Sequence, residues 1–240
     1  MGTVRILVEK ELRNHFSSWS IYIGYILFFC ICGFQTWLSS NNIFYLGQAS
    51  LMPFFVIINW TQFILIPALT MKTIADEKKS GTIELLLTKP IKTWELICEK
   101  FFSNLIITVI ALVLTIPYYI TIATLGNIDH GAAILGYIGL IEMAACYVSI
   151  GIFSSALCRT PVTAFFLSLG IGLCFQVFFG MLANQIGTGF MAELFSYLSM
   201  EEHFDSISRG ILDTRDIIYF SSVVTIFLAS SKYFICKSRF

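Results

Sequence analysis

The chain has 240 residues, 57% of them hydrophobic and 15% aromatic, with a mean hydropathy of +0.80. A soluble domain is about 45–50% apolar, so the composition excludes that class and indicates a membrane protein. Fifteen basic and fifteen acidic residues cancel, leaving no global field to recruit nucleic acid or an acidic partner.

The opening segment, MGTVRILVEKELRNHFSS, places Val4, Leu7, Val8 and Leu12 on one helical face and Arg5, Glu9, Lys10 and Arg13 largely on the other. This pattern predicts an interfacial helix lying flat before the first span. Glu11 interrupts the apolar stripe, and a pair with a nearby basic residue is the one role the pattern leaves for it. No secretory leader is expected, because the apolar run that follows is too long and no small-residue cleavage site comes after it.

Crossing a hydrocarbon core about 30 Å thick takes about 20 helical residues. Six apolar runs meet that length, at 19–38, 52–71, 101–125, 132–157, 162–183 and 217–236. The expected fold is an all-α polytopic membrane protein with six transmembrane helices, residues 1–240 forming a single transmembrane domain. Cytoplasmic loops carry the excess of Lys and Arg. Thirteen such residues fall on one side: Arg5, Lys10 and Arg13, six lysines in 72–100, Arg159, and Lys232, Lys237 and Arg239; only Arg209 and Arg215 fall on the other. The count places both termini in the cytoplasm.

Between the second and third runs lies KTIADEKKSGTIELLLTKPIKTWELICEK, residues 72–100, with six lysines and five acids in 29 residues. Ile83, Leu86, Leu87 and Pro90 fall on one helical face, while Thr82, Thr88 and Lys89 face away with Leu85 as an isolated apolar knob. Gly81 supplies freedom in φ just before this stretch, and Pro90 ends it. The prediction is a short amphipathic helix lying across the cytoplasmic ends of two spans.

This segment resembles the coupling segment between the second and third spans of ABC-2 type permeases. The matching residues are Glu77, Gly81, Thr82, Glu84, Leu86, Leu87, Pro90 and Lys100, with Glu99 where many members carry Gly. Lys10, Glu11 and Leu12 are likewise similar to the opening Lys-Glu-Leu of that family. The resemblance implies a separate ABC ATPase subunit on which the coupling helix rests, with Glu77, Gly81, Thr82, Glu84, Leu85, Leu87 and Pro90 as the coupling residues. It implies a second permease subunit, identical or related, and an exporter-type cycle in a lipid membrane, the expected location being a bacterial inner membrane. It implies no cofactor in this chain, ATP being bound by the partner.

The third run contains Pro117, which predicts a kink. The fourth and fifth runs are rich in Gly, Ala and Ser, which predicts close helix packing, a dimer seam being one place for it. Gly151, Phe153, Ser155 and Leu157 in the fourth resemble the gliding-motility GldF and NosY-like branch of the family. Glu142 lies about ten residues into that run, hence about 15 Å deep. Two readings of Glu142 stand: it lines a substrate or proton path, or, protonated, it hydrogen-bonds a neighbouring helix.

The segment 184–216 carries apolar patches too short to span, which predicts external interfacial or re-entrant helices before the last span. Its end resembles the same branch at His203, Phe204, Ser206, Ile207, Arg209, Gly210, Asp213, Arg215, Asp216, Tyr219 and Phe220. Glu201, Glu202 and Asp205 surround His203, but consecutive acids do not converge on one point of a helix. His203 is therefore read as a structural polar cap at the membrane surface.

The seven cysteines lie in spans or near their cytoplasmic ends, with no disulfide framework, and Cys30 and Cys32 are read as small core residues rather than metal ligands. The chain has no G-x-x-x-x-G-K-[ST], H-E-x-x-H or G-x-S-x-G, so the expectation is a non-enzyme whose ATPase is another polypeptide. The rival readings are a non-transporting scaffold of a gliding or secretion machinery and an ion-coupled transporter using Glu142. The latter calls for an internal repeat, and none is evident.

Overall fold

Each of the six apolar runs is helical in the computed structural model, which describes residues 2–38, 51–82, 92–126 and 128–237. The first span is Trp19–Trp37, and the second is Met52–Thr70, leading through a turn into a short helix at Ala75–Lys79. The fourth is His130–Leu157, the fifth Pro161–Ile186 and the sixth Thr214–Lys237. These bounds agree with the hydropathy reading to within a few residues, whereas the third span departs from it.

The third span begins at Thr93, eight residues before the expected 101. The cause is local: the Glu95 carboxylate accepts the Lys92 N–H at 3.1 Å and satisfies one of the orphan donors at the helix start. Hydropathy stops at charged residues, but a helical backbone does not. Glu95, Glu99 and Lys100 are therefore helical, and Glu99 and Lys100 are buried. Further on, the expected kink at Pro117 is a break. Helix Thr93–Val113 ends at the residue whose carbonyl the proline ring would strike, Thr115 donates its hydroxyl to Leu112 O at 2.6 Å, and a new helix runs over Ile116–Leu125.

The fourth span is the axis of the bundle. In its apolar window 61% of residues are buried, against 22% in the first, fifth and sixth spans. Its small residues let the second span approach closely. A Cβ at Gly136 would lie 2.2 Å from Phe55 and one at Gly151 would lie 2.0 Å from Thr70 Oγ1. Both contacts are fifteen residues apart on each helix, so the two spans run parallel in one register. The close packing expected of the fourth span is thus made within the chain. Farther in, the buried Tyr147 hydroxyl lies 2.8 Å from Gln176 Oε1, and Gln176 sits in a π-helical turn, Cys174–Phe178, of the fifth span.

The opening segment is a helix, Gly2–Ser17, that packs against the start of the third span. Segment 184–216 supplies two short helices, Phe190–Leu198 and Met200–Ser208. The second buries Met200, Phe204 and Ile207, the last two over Gly139 of the fourth span. Of the cysteine pair, Cys32 is buried and Cys30 is exposed, since residues two apart point to different sides of a helix.

Candidate functional site

The lysine-rich end of the bundle gathers elements that are remote in sequence. Lys232 of the sixth span stands 5.9 Å over the Trp94 ring at the start of the third. Beside that contact, Lys100 is the centre of an ionic cluster. Its ammonium lies 2.7 Å from Glu11 Oε1 and 2.8 Å from Glu77 Oε1, with only 5% of the side chain exposed. One cation thus ties the N-terminal helix and the helix Ala75–Lys79 to the third span.

Glu11 is therefore no flaw in the apolar stripe. Val4, Leu7, Val8, Glu11, Leu12 and His15 all lie on the packed side of the N-terminal helix, while Arg5, Glu9, Lys10 and Arg13 are exposed. Burial pushes the Glu11 carboxyl up, but the charge and hydrogen bond of Lys100 outweigh it and hold the group below its ordinary value. His15, one turn on, is pushed down by burial, against the pull of Glu11.

A second fastening holds the turn that follows the second span. Ser155 of the fourth span accepts the N–H groups of Ile74 and Ala75, both at 3.0 Å, and donates to Met71 O at 3.1 Å. The one hydroxyl satisfies the start of a helix that has no cap of its own. Lys78 adds a hydrogen bond to Ala156 O. Gly151, one turn before Ser155, is the position where Thr70 leaves no room for a side chain.

From this base the chain turns outward. Gly81 has φ 71°, a left-handed conformation that glycine adopts without strain, as its place before the amphipathic stretch predicts. Thr82 keeps the turn closed, its hydroxyl 2.8 Å from Ser80 Oγ. Glu84, Leu85, Leu87 and Pro90, and with them the expected amphipathic helix, lie outside the described residues.

The chain matches a family model, ABC-2 family transporter protein, over residues 5–231. It belongs to that family. No curated protein matches the chain. As an ABC-2 family member with six apolar helices, it is a multi-pass membrane protein and the permease component of an ABC transporter.

Of the expected coupling residues, the structure brings Glu77 to Lys100 and sets Gly81 and Thr82 at the exit of the turn. Residue-type reading did not single out Glu11, Lys100 and Ser155 as a joint. The interrupted stripe at Glu11 was the available signal, but its partner lies 89 residues away. Glu142 stands apart from this joint, half-buried in the fourth span, with its Oε2 lacking a hydrogen-bond partner among the described residues.

Proposed function

We propose that this chain is the permease subunit of an ATP-driven, exporter-type ABC complex of the bacterial inner membrane, with both termini and residues 72–100 in the cytoplasm. A separate ATPase subunit binds the segment 77–90, and a second permease, identical or related, completes the pair. The ATPase supplies the free energy, and this chain converts it into movement of its spans. The resemblance of His203, Arg209 and Asp216 to the gliding-motility pattern supports a place near the GldF and NosY-like branch.

The observation that carries this reading is the joint at the base of the segment. A force applied to residues 81–90 reaches Glu77 and, through Lys100, the third span and the N-terminal helix; through Ser155 it reaches the fourth span, the axis of the bundle. Glu77 then serves to hold the base, while Gly81, Thr82, Glu84, Leu85, Leu87 and Pro90 carry the contact.

Gly81→Pro and Leu85→Asp should leave the permease in the membrane but reduce its co-purification with the ATPase. Unchanged co-purification counts against the assignment. ATP turnover by the co-purified partner should depend on this subunit, whereas turnover independent of it favours a scaffold.

A further inference from the structure

At the end of the bundle opposite the lysines lies a second polar cluster. Spans four and six run parallel there in one register: Cys146 Sγ lies 3.7 Å from Phe220 O, and the rings of Phe153 and Phe227, seven residues further along each helix, are 5.5 Å apart. Four residues before Cys146 and Phe220 stand Glu142 and Asp216. The same register therefore brings the two carboxyl groups to one level of the interface, one turn earlier on each helix. Asp216 is 4% exposed and its Oδ1 is 2.6 Å from His203 Nδ1. Its Oδ2 and Glu142 Oε2 are both buried without a hydrogen-bond partner.

The hydrogen bonds of His203 fix the net charge of the His203–Asp216 pair. His203 Nε2 lies 3.2 Å from the carbonyl oxygen of Tyr197. A carbonyl only accepts, so Nε2 carries a proton. Nδ1 then either carries one too, as an imidazolium against the Asp216 carboxylate, or accepts one from protonated Asp216. In both forms the pair is neutral overall. Stacking on the Tyr219 ring at 4.2 Å holds the imidazole in place, and the Tyr219 hydroxyl is itself held by Leu198 O at 2.7 Å.

The helix register sets Glu142 at the level of this neutral pair. As a carboxylate it would set an uncompensated charge beside Asp216 in an apolar interface; as an acid it supplies the donor that Asp216 Oδ2 lacks. The other titratable groups nearby are Tyr219 on the sixth span, Glu201 and Asp205 on the Met200–Ser208 helix, and Cys146 on the same helix as Glu142. The second and fifth spans contribute the uncharged Asn59, Gln62 and Gln176 to the buried polar set. Among the described residues, neither Glu142 nor Asp216 is ion-paired with a lysine or arginine; Arg209 pairs with Asp205 at 3.8 Å.

We propose that Glu142, Asp216 and His203 form a proton-binding site in which protonated Glu142 donates to Asp216 Oδ2 and so latches the Met200–Ser208 helix onto spans four and six. Loss of that proton puts two like charges in contact, and the helix loosens as pH rises.

The test uses the full chain in lipid vesicles. Infrared spectra at neutral pH should show a carboxylic-acid C=O stretch that Glu142→Gln removes and Glu201→Gln retains. Hydrogen exchange, corrected for its intrinsic pH dependence, should show protection of residues 200–208 falling by about tenfold between about pH 6 and about pH 9 in the native chain, the effect of losing one charge-assisted hydrogen bond. Glu142→Gln keeps an N–H donor toward Asp216, so its protection should stay flat over that range, while Asp216→Asn should alter the pH dependence. An equal loss in Glu142→Gln, an acid band indifferent to that substitution, or protection restored at high pH by added sodium or calcium ions would each overturn the proposal, the last assigning a metal cation in place of the proton.

Discussion

At one end of the bundle a single lysine is shared by two carboxylates; at the other, a histidine holds one buried carboxyl group, with a second on the neighbouring span. The difference lies in where charge balance comes from. Lys100 is a cation across the physiological range, and its charge holds Glu11 ionised and ties the three segments together. Asp216 has only His203, which carries at most one positive charge, and Glu142 is paired with no lysine or arginine among the described residues, so the balance there depends on protons. The first cluster is built as a fixed joint and the second as a titratable latch.

The comparison breaks most visibly at Lys100. Lys100→Met leaves two carboxylates facing each other without a cation, at a cost of about 3 kcal/mol, the low end for a broken buried pair because Glu11 and Glu77 keep some solvent access. A thermal melt in detergent should fall markedly, with Lys100→Arg, which keeps the cation, recovering most of that loss. A melt unchanged by Lys100→Met would show that the joint is decorative. Next in size is Gly151→Leu, which forces the second and fourth spans apart where Thr70 sits and should cost about 2 kcal/mol by overpacking. Thr70→Ala should relieve part of that cost, and the double-mutant cycle measures how much.

Ser155→Ala should cost about 1–2 kcal/mol, because two buried N–H groups lose their acceptor. Faster amide exchange at Ile74 and Ala75, with exchange elsewhere in the second span unchanged, is the signature to look for. The smallest effect sharpens the contrast in pH. Glu11 is held below its ordinary 4.5. Its contribution is therefore fully present above that value and is lost only as pH falls through its lowered folded value, by less than about 1 kcal/mol given its partial exposure. Exchange protection of the N-terminal helix should accordingly be flat at neutral pH and weaken in acid, opposite in sign to the latch. A helix that loosens on raising the pH would place the titrating group elsewhere.

Much of the architecture is legible in the residues. Six helices follow from hydropathy, the left-handed Gly81 from its place before a helix, and the interruption of the third span from Pro117. The polar clusters are less legible because their members are far apart in sequence. Lys100 reads as a loop residue, since a window that counts charges ends the span before it; burial becomes acceptable only when Glu11 and Glu77 converge on it from 89 and 23 residues away. The acids beside His203 in sequence draw the eye, but its partner is Asp216, thirteen residues on and in the first turn of another helix. Buried, at 8% exposure, it fastens the Met200–Ser208 helix to the first turn of the last span. The amphipathic stretch after Gly81 is where pattern remains the guide, as Glu84, Leu85, Leu87 and Pro90 fall outside the described residues.

The central claim is that the base of the coupling segment and the fourth span move as one body. Spin labels at Thr82 and Leu157 of the ATPase-bound complex test it directly, through the distance between them with and without nucleotide. The account predicts one narrow distance in both states, broadening in Ser155→Ala. A distance that shifts on nucleotide binding in the native complex would contradict it.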